Sequence, residues 1–416
     1  MSRVRVAVLG AGMQGVCTAL ELARRGVAVE LFDQDDTAVN RASLRNEGKI
    51  HLGFVYANDP TSSTANLMLE GALRFRRLLD RWTHGGFASI PTSHPFNYLV
   101  AGNSLVGTER LREHYEKVQQ RYRERTTEDA GLDYLGGRPA LIVRPLTRGE
   151  LRATSPETVV AGFATAEVAI HLPTAVALLR DAMTASSVRF HKRRRIRAVQ
   201  RSTSGFRVDG TGPDGTWSLG CDQVVNTLWD GRLAVDATMG LVPDRPWIYR
   251  LKYRVLVRLP KVLRASASAS LVLGPYGDVV VHPGGTGYVS WYPGCMRAWS
   301  EELAPPASWD AACRGILDAA DASDIARRAF NGADPWFPGI AAAEPFTVDA
   351  GVIFAFGRTD IDDPSSELHR RDTIGVRSCD GYHTVNTGKL TTAPMFAVDA
   401  ADRVTATRDL PHHPWS

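Results

Sequence analysis

Three glycines and one acid carry the clearest chemistry in the sequence. Gly10, Gly12 and Gly15 stand in the run Gly10-Ala11-Gly12-Met13-Gln14-Gly15, and Asp33 follows eighteen residues after Gly15. That spacing suits a dinucleotide. Gly10 permits a tight turn, Gly12 lets the backbone approach a pyrophosphate, and Gly15 lets a helix lie close to the preceding strand. The helix N-terminus, at Met13 and Gln14, offers unpaired N–H groups and a partial positive charge to phosphates. Asp33 stands where an acid accepts hydrogen bonds from a ribose 2′-OH. The motif does not separate NAD from FAD.

Other chemistries lack their residues. Cys17, Cys221, Cys295, Cys313 and Cys379 are scattered with no CxxC and no companion histidine spacing. This argues against a disulfide framework and against any metal site of the zinc type. A net charge of +4 over 416 residues implies no nucleic-acid partner by itself. The basic run within 188–199 has no aromatic interleaving and no basic surround, so it is expected to be a strand with one solvated face.

The elements that position the motif follow from the apolar pattern. Residues 4–9 read as a buried strand, 18–25 as a helix stopped by Gly26, and 27–32 as a second strand ending on Asp33. A short helical turn is expected over 35–41. Residues 62–82 read as an amphipathic helix, 109–125 as a charged helix and 174–185 as a further helix. From residue 249 onward, short runs punctuated by Gly and Pro predict a strand meander, and 352–356 a last strand. A polar loop with Asp360, Asp362 and Asp363 follows it. The length suggests two or three domains. No stretch approaches the eighteen or so apolar residues of a membrane helix, and no signal-like segment precedes the first strand. A cytoplasmic chain without a membrane span is expected.

GAGMQG, a second strand ending on an acid, and ASLRNEGKIHLG at 42–53 together resemble the opening of a flavoprotein of the D-amino acid oxidase (DAO) superfamily. In that family the stretch equivalent to 43–49 wraps the pyrophosphate and one side of the isoalloxazine. The resemblance thus implies FAD contacts from Ser43, Arg45, Asn46, Glu47, Gly48 and Lys49. An apolar residue at the Ile196 position lies against the adenine in the family. Val224-Val225-Asn226-Thr227 is similar to the third cofactor strand, usually VVxAAG, although no glycine follows Thr227. The end, GYHTVNTGKLTTAPMF at 381–396, resembles the closing FAD motif. Its GKLTT core is similar to the glycerol-3-phosphate dehydrogenase version and implies contacts from Gly388, Lys389, Leu390 and Thr391.

Catalytic candidates come from the same resemblance. A flavin that takes a hydride equivalent at N5 develops negative charge around N1 and the C2 carbonyl. Lys389, at the start of the final helix, would face that charge; a solvated turn lysine is the alternative. Arg358 follows its strand as the family's substrate-binding arginine does and could bind a carboxylate bidentately, but Thr359 replaces the proline that comes next in the family, and a surface arginine is the equal alternative. His51 could serve as a base or carry a covalent flavin, with a core histidine as the alternative. Tyr276, His282, Tyr288, Trp291 and Tyr292 could wall a pocket for an uncharged amine, with core aromatics at strand spacing as the alternative.

The expected fold is α/β (α+β overall): a Rossmann-type FAD-binding domain with an inserted, mostly antiparallel β substrate domain. Residues 1–86, 151–240 and 345–416 would form the first, and 87–150 and 241–344 the second. The expected reaction oxidises the C–N bond of a small amine or amino acid by hydride transfer to flavin N5, giving an imine that hydrolyses. The electron acceptor would be O2 or another carrier. The alternatives are oxidation of a C–O bond and nucleotide binding without redox turnover.

Overall fold

In the computed structural model, residues 4–406 are described apart from 153, 155–157, 362, 364 and 372, so Asp362 lies outside the described residues. Strand β1, Arg5–Leu9, feeds helix α1, Met13–Arg24, which returns into strand β2, Ala28–Phe32. Val6, Ala7, Val8 and Leu9 are wholly buried, as expected where layers cover both faces of a parallel sheet. Gly10 takes φ +93° at the turn, and a Cβ on Gly15 would sit 1.8 Å from the Gly10 carbonyl oxygen. Only glycines let α1 start this close to β1.

The sheet built on this unit has six strands. Its order is Gly375–Cys379, Tyr382–Asn386, Gln223–Asn226, β1, β2, Arg189–His191. All neighbours run parallel except the first two, which form an antiparallel edge. Helix Ser63–Thr83 packs Met68, Leu69, Ala72, Phe75 and Leu79 inward. The larger of these, Met68, Leu69, Phe75 and Leu79, each contribute about 1.5–3 kcal/mol when fully buried. A three-stranded sheet of Arg195–Ser202, Gly205–Gly212 and Gly215–Cys221 lies beside it.

The second large sheet has nine strands and is mostly antiparallel. Its spine is the long strand Trp247–Arg258, which pairs with Thr286–Trp291, Met296–Ser300 and Glu344–Phe356. Phe96–Ala101 and Val159–Thr165 extend the far side. Two segments therefore sit elsewhere than their expected domain: Val159–Thr165 and Glu344–Phe356 pair within this sheet, not with the strands around β1. Backbone pairing decided both, and composition did not reveal it.

Local expectations were revised in three places. The basic run at 188–199 is two strands in two sheets, because Arg193 turns at φ +55° and the chain crosses the end of β2. Residues 35–39 are bends, Asn40 is extended, and helix starts only at Arg41. Residues 352–356 are the end of a longer strand and not the last, since Gly375–Cys379 and Tyr382–Asn386 follow.

Candidate active site

A cavity of about 430 Å³ runs between the two large sheets. One end is lined by Gly10, Gly12, Met13, Asp33 and Ile196, the other by His51, Lys252, Tyr288, Gly388 and Lys389. At the first end Asp33 accepts hydrogen bonds from the backbone N–H groups of Ala11 at 2.7 Å and Asp35 at 2.9 Å. Burial outweighs these bonds and pushes its carboxyl up to about 6. Arg41 crosses the opening: it donates to Asp35 and, at 2.8 Å, to Asp310 of the opposite unit. Residues 304–307, with Trp309, Asp310 and Cys313, line that side of the cavity.

The middle is held by the 40–49 stretch. The Met13 N–H donates to Ser43 Oγ at 2.9 Å, so the loop is tied to the start of α1. Arg254 donates to both oxygens of buried Asp349 and to the Asn46 carbonyl, and Arg45 lies 3.3 Å from the same carboxylate. These bonds fasten the loop to the nine-stranded sheet.

The second end is a buried lattice of charge. Lys49 donates to Asp278 at 2.8 Å and to Ser270 at 2.6 Å, with its ammonium 4.0 Å from the centre of the Phe96 ring. Burial would raise the Glu47 carboxyl, but Lys252, Lys389 and Lys49 bring it down to about 2. Lys252 is raised against the cost of burial by Tyr288, Glu47 and Asp278. Lys389 goes the other way. Burial, helped by Arg371, Lys252 and Lys49 and opposed by Glu47, lowers it to about 8. His51 Nδ1 lies 3.4 Å from Glu167 Oε1, and burial lowers this imidazole despite that carboxylate. Glu167 is fully buried and accepts from Tyr98 Oη and the Leu52 N–H.

Beyond that end lies a second polar group. Arg250 donates to Tyr292 Oη at 2.6 Å and to Asp360 at 3.0 Å, and Trp299 donates to the other Asp360 oxygen at 2.5 Å. Arg371, 6% exposed, donates from one terminal nitrogen to the Phe354 carbonyl.

The structure gathers most of the residues singled out in the sequence. Gly10, Gly12, Met13, Gln14, Asp33, Ser43, Arg45, Asn46, Glu47, Lys49, His51, Ile196, Gly388, Lys389 and Leu390 line the cavity. Gly15 and Gly48 stand behind its wall, where a Cβ would strike the Gly10 and Ile170 carbonyls. Thr391 accepts from the His51 N–H at 2.9 Å. Asn226 turns instead into the core, donating to the Arg232 carbonyl, Asp236 and Tyr382. Arg358 is exposed and does not line the cavity. Of the five wall candidates, Tyr288 alone lines it.

Sequence reasoning missed Arg41, Lys252, Arg254 and Glu167. A signal existed for two of these. Arg250, Lys252 and Arg254 alternate along an otherwise apolar strand, and alternation puts all three on one face.

Strand, glycine turn, helix and acid at one end of a cleft, with buried lysines at the other, define a dinucleotide-binding oxidoreductase. The chain belongs to the DAO family of FAD-dependent oxidoreductases, whose family model matches residues 5–366. Its fold is similar to glycine oxidase from Geobacillus kaustophilus, with 18% identity, a TM-score of 0.68 and 99% and 97% of the two chains covered. Iminodiacetate oxidase from Chelativorans sp. BNC1 gives 16%, 0.67, 99% and 97%. L-alpha-glycerophosphate oxidase from Mycoplasma pneumoniae gives 15%, 0.61, 100% and 97%. No curated protein sequence matches. The residues present fit FAD: a Cβ on Gly10 would press on the Thr227 carbonyl and one on Gly12 on Ser43 Oγ, both at 3.0 Å. The bare backbone there leaves the approach to phosphates open, and lysines crowd the opposite end. Among the described residues no helix is long and apolar enough to cross a membrane, and no group of acids, cysteines and histidines could hold a metal.

Proposed function

We propose that the chain oxidises the C–N bond of a small amine or amino acid, giving an imine that water hydrolyses. The observation that carries this reading is one continuous cleft joining an acid-ended nucleotide pocket to a buried end lined by Lys49, Lys252, Lys389, His51 and Tyr288. Glycine and iminodiacetate, the compounds named for two of the similar folds, are amino compounds. The six-stranded sheet with its helices would be the FAD-binding unit and the nine-stranded sheet the substrate unit.

FAD, when bound, supplies acceptance of a hydride equivalent from the substrate carbon. The chain's own residues do the rest. Asp33 and Ile196 would hold the adenosine, and the start of α1 with Ser43 the pyrophosphate. Arg45 to Lys49 and Gly388 to Leu390 would flank the ring system. Lys389 carries its positive charge below about pH 8, where it can offset negative charge developing beside it. His51, kept neutral by burial, can accept a proton at Nε2 while Nδ1 faces Glu167. The electron acceptor would be O2 or another carrier.

Oxidation of a C–O bond is the second reading, and the His51–Glu167 pair favours it, because a hydroxyl must lose its proton as the hydride leaves. One experiment separates the two. An anaerobic absorbance spectrum of the purified protein is recorded before and after adding amino acids, amines and hydroxy acids. Flavin bands that bleach with an amino compound support C–N oxidation. Bleaching by hydroxy acids alone replaces it with the second reading, and a flavin that no compound bleaches leaves a binding protein.

A further inference from the structure

Glu47 stands apart from the other acids at the buried end of the cleft. Asp278 accepts from Lys49 and Ser270, and Glu167 accepts from Tyr98 Oη and the Leu52 N–H. Glu47 lines the cavity with its side chain 18% exposed, and among the described residues it accepts no hydrogen bond. Against the cost of burial, Lys252, Lys389 and Lys49 keep it ionised. Its one ion-pair contact among the described residues is His51 Nε2, 4.0 Å from Oε1. A walled-in carboxylate that the chain leaves without a donor calls for one from a ligand.

His51 supplies a second acceptor beside it. Burial keeps the imidazole neutral, so it carries a single ring proton. The nearer carboxylate, Glu167 Oε1 at 3.4 Å, stands on the Nδ1 side, and the proton goes there. Nε2 is left bare. A nitrogen placed about 2.9 Å from both Glu47 Oε1 and His51 Nε2 would make two hydrogen bonds about 90° apart, an angle that two N–H bonds of one sp3 amine can serve. A hydroxyl has one hydrogen and serves only one of the two acceptors.

We propose that Glu47 and His51 together seat the substrate's amino group, and that they select an amine with at least two N–H bonds, which is a primary amine or a protonated secondary one. This rests on the function proposed above and narrows it against alcohols and tertiary amines. Glu167 is a positioning residue here, because it fixes which ring nitrogen of His51 is bare. A hydroxyl in the same place leaves one acceptor unmatched in a closed space, and an unmatched buried acceptor is what lets a polar site reject an isostere.

The test titrates the FAD-loaded protein at neutral pH with two matched pairs, tert-butylamine against tert-butanol and α-aminoisobutyrate against α-hydroxyisobutyrate, and reads the shift of the flavin bands. None of the four has a hydrogen on the carbon that bears the nitrogen or hydroxyl oxygen, so no hydride leaves and binding alone is read. The parent should bind the amine of a pair at least tenfold tighter than its hydroxyl isostere. Glu47→Gln should lower that ratio about tenfold, and Glu47→Asp should fall between, because its carboxylate remains but stands further back. Arg358→Gln should keep the parent's ratio. The members of a pair share one shape, so a variant that merely loosens the site weakens both and leaves the ratio alone. If Glu47→Gln does not take up FAD, Glu47→Asp decides. A parent that binds both members of each pair alike overturns the seat, and so does the parent's ratio persisting in the Glu47 variants. Tighter binding of the hydroxyl members overturns it and favours C–O oxidation. Parent flavin bands that respond to none of the four overturn the inference and leave the proposed function standing. A protein that takes up no FAD overturns both.

Discussion

Lys389 is the residue whose charge matters most and is held least firmly. Lys49 pairs with Asp278, the charges of Glu47 and Lys252 favour each other, and burial lowers Lys389 to about 8. The sign follows directly: the ammonium is present below that pH and lost above it. The potential of bound FAD should therefore drop more steeply above pH 8 than below it. Lys389→Met should lower it at neutral pH, by about 30 mV for each tenfold loss of preference for the reduced form. Spectroscopic titration against a dye of known potential measures this, and a variant with unchanged potential would remove Lys389 from the flavin's surroundings. Asp278 has a different duty. Asp278→Asn leaves Lys49, 3% exposed, without its carboxylate, which should cost about 3 kcal/mol in a denaturant melt. A loss below about 1 kcal/mol would mean that Lys49 finds another acid.

At the scale of elements, the glycine turn was legible because sterics dictate it. Gly15→Ala places a methyl 1.8 Å from the Gly10 oxygen, so the start of α1 must move. The purified variant should contain little FAD, judged by absorbance ratio, and normal occupancy would show that the helix can slide. The closing turn at Gly388 was legible for the same reason, as Gly388 takes φ +68°. What could not be read was long-range pairing. Glu344–Phe356 runs beside Trp247–Arg258 along almost its whole length, yet nothing local in either strand names the other. At Asn226 the strand matches the cofactor pattern, while the buried side chain donates to Asp236 and Tyr382. Arg358 follows the strand Glu344–Phe356, and its side chain is exposed to solvent.

Taken whole, the molecule is two sheets fastened across a cleft by ion pairs. Arg41 to Asp310 is the pair at the nucleotide mouth, where the 304–313 segment closes the cavity. Bound FAD should leave faster from Asp310→Asn than from the parent, by about tenfold, and faster from the parent in high salt, since exposed pairs are screened. Recovery of flavin fluorescence after dilution measures the rate, and equal rates would show that FAD leaves by another path. The cation row of the long strand acts on assembly as well. A slip of one residue turns every side chain of a strand to the opposite face. Tyr249 and Leu251 would then enter the cleft, and Arg250, Lys252 and Arg254 would be driven into the apolar cluster around Trp309 and Phe354. Misregistered chains would thus be unable both to bury that cluster and to close around a nucleotide, so FAD present during folding would select the correctly threaded sheet.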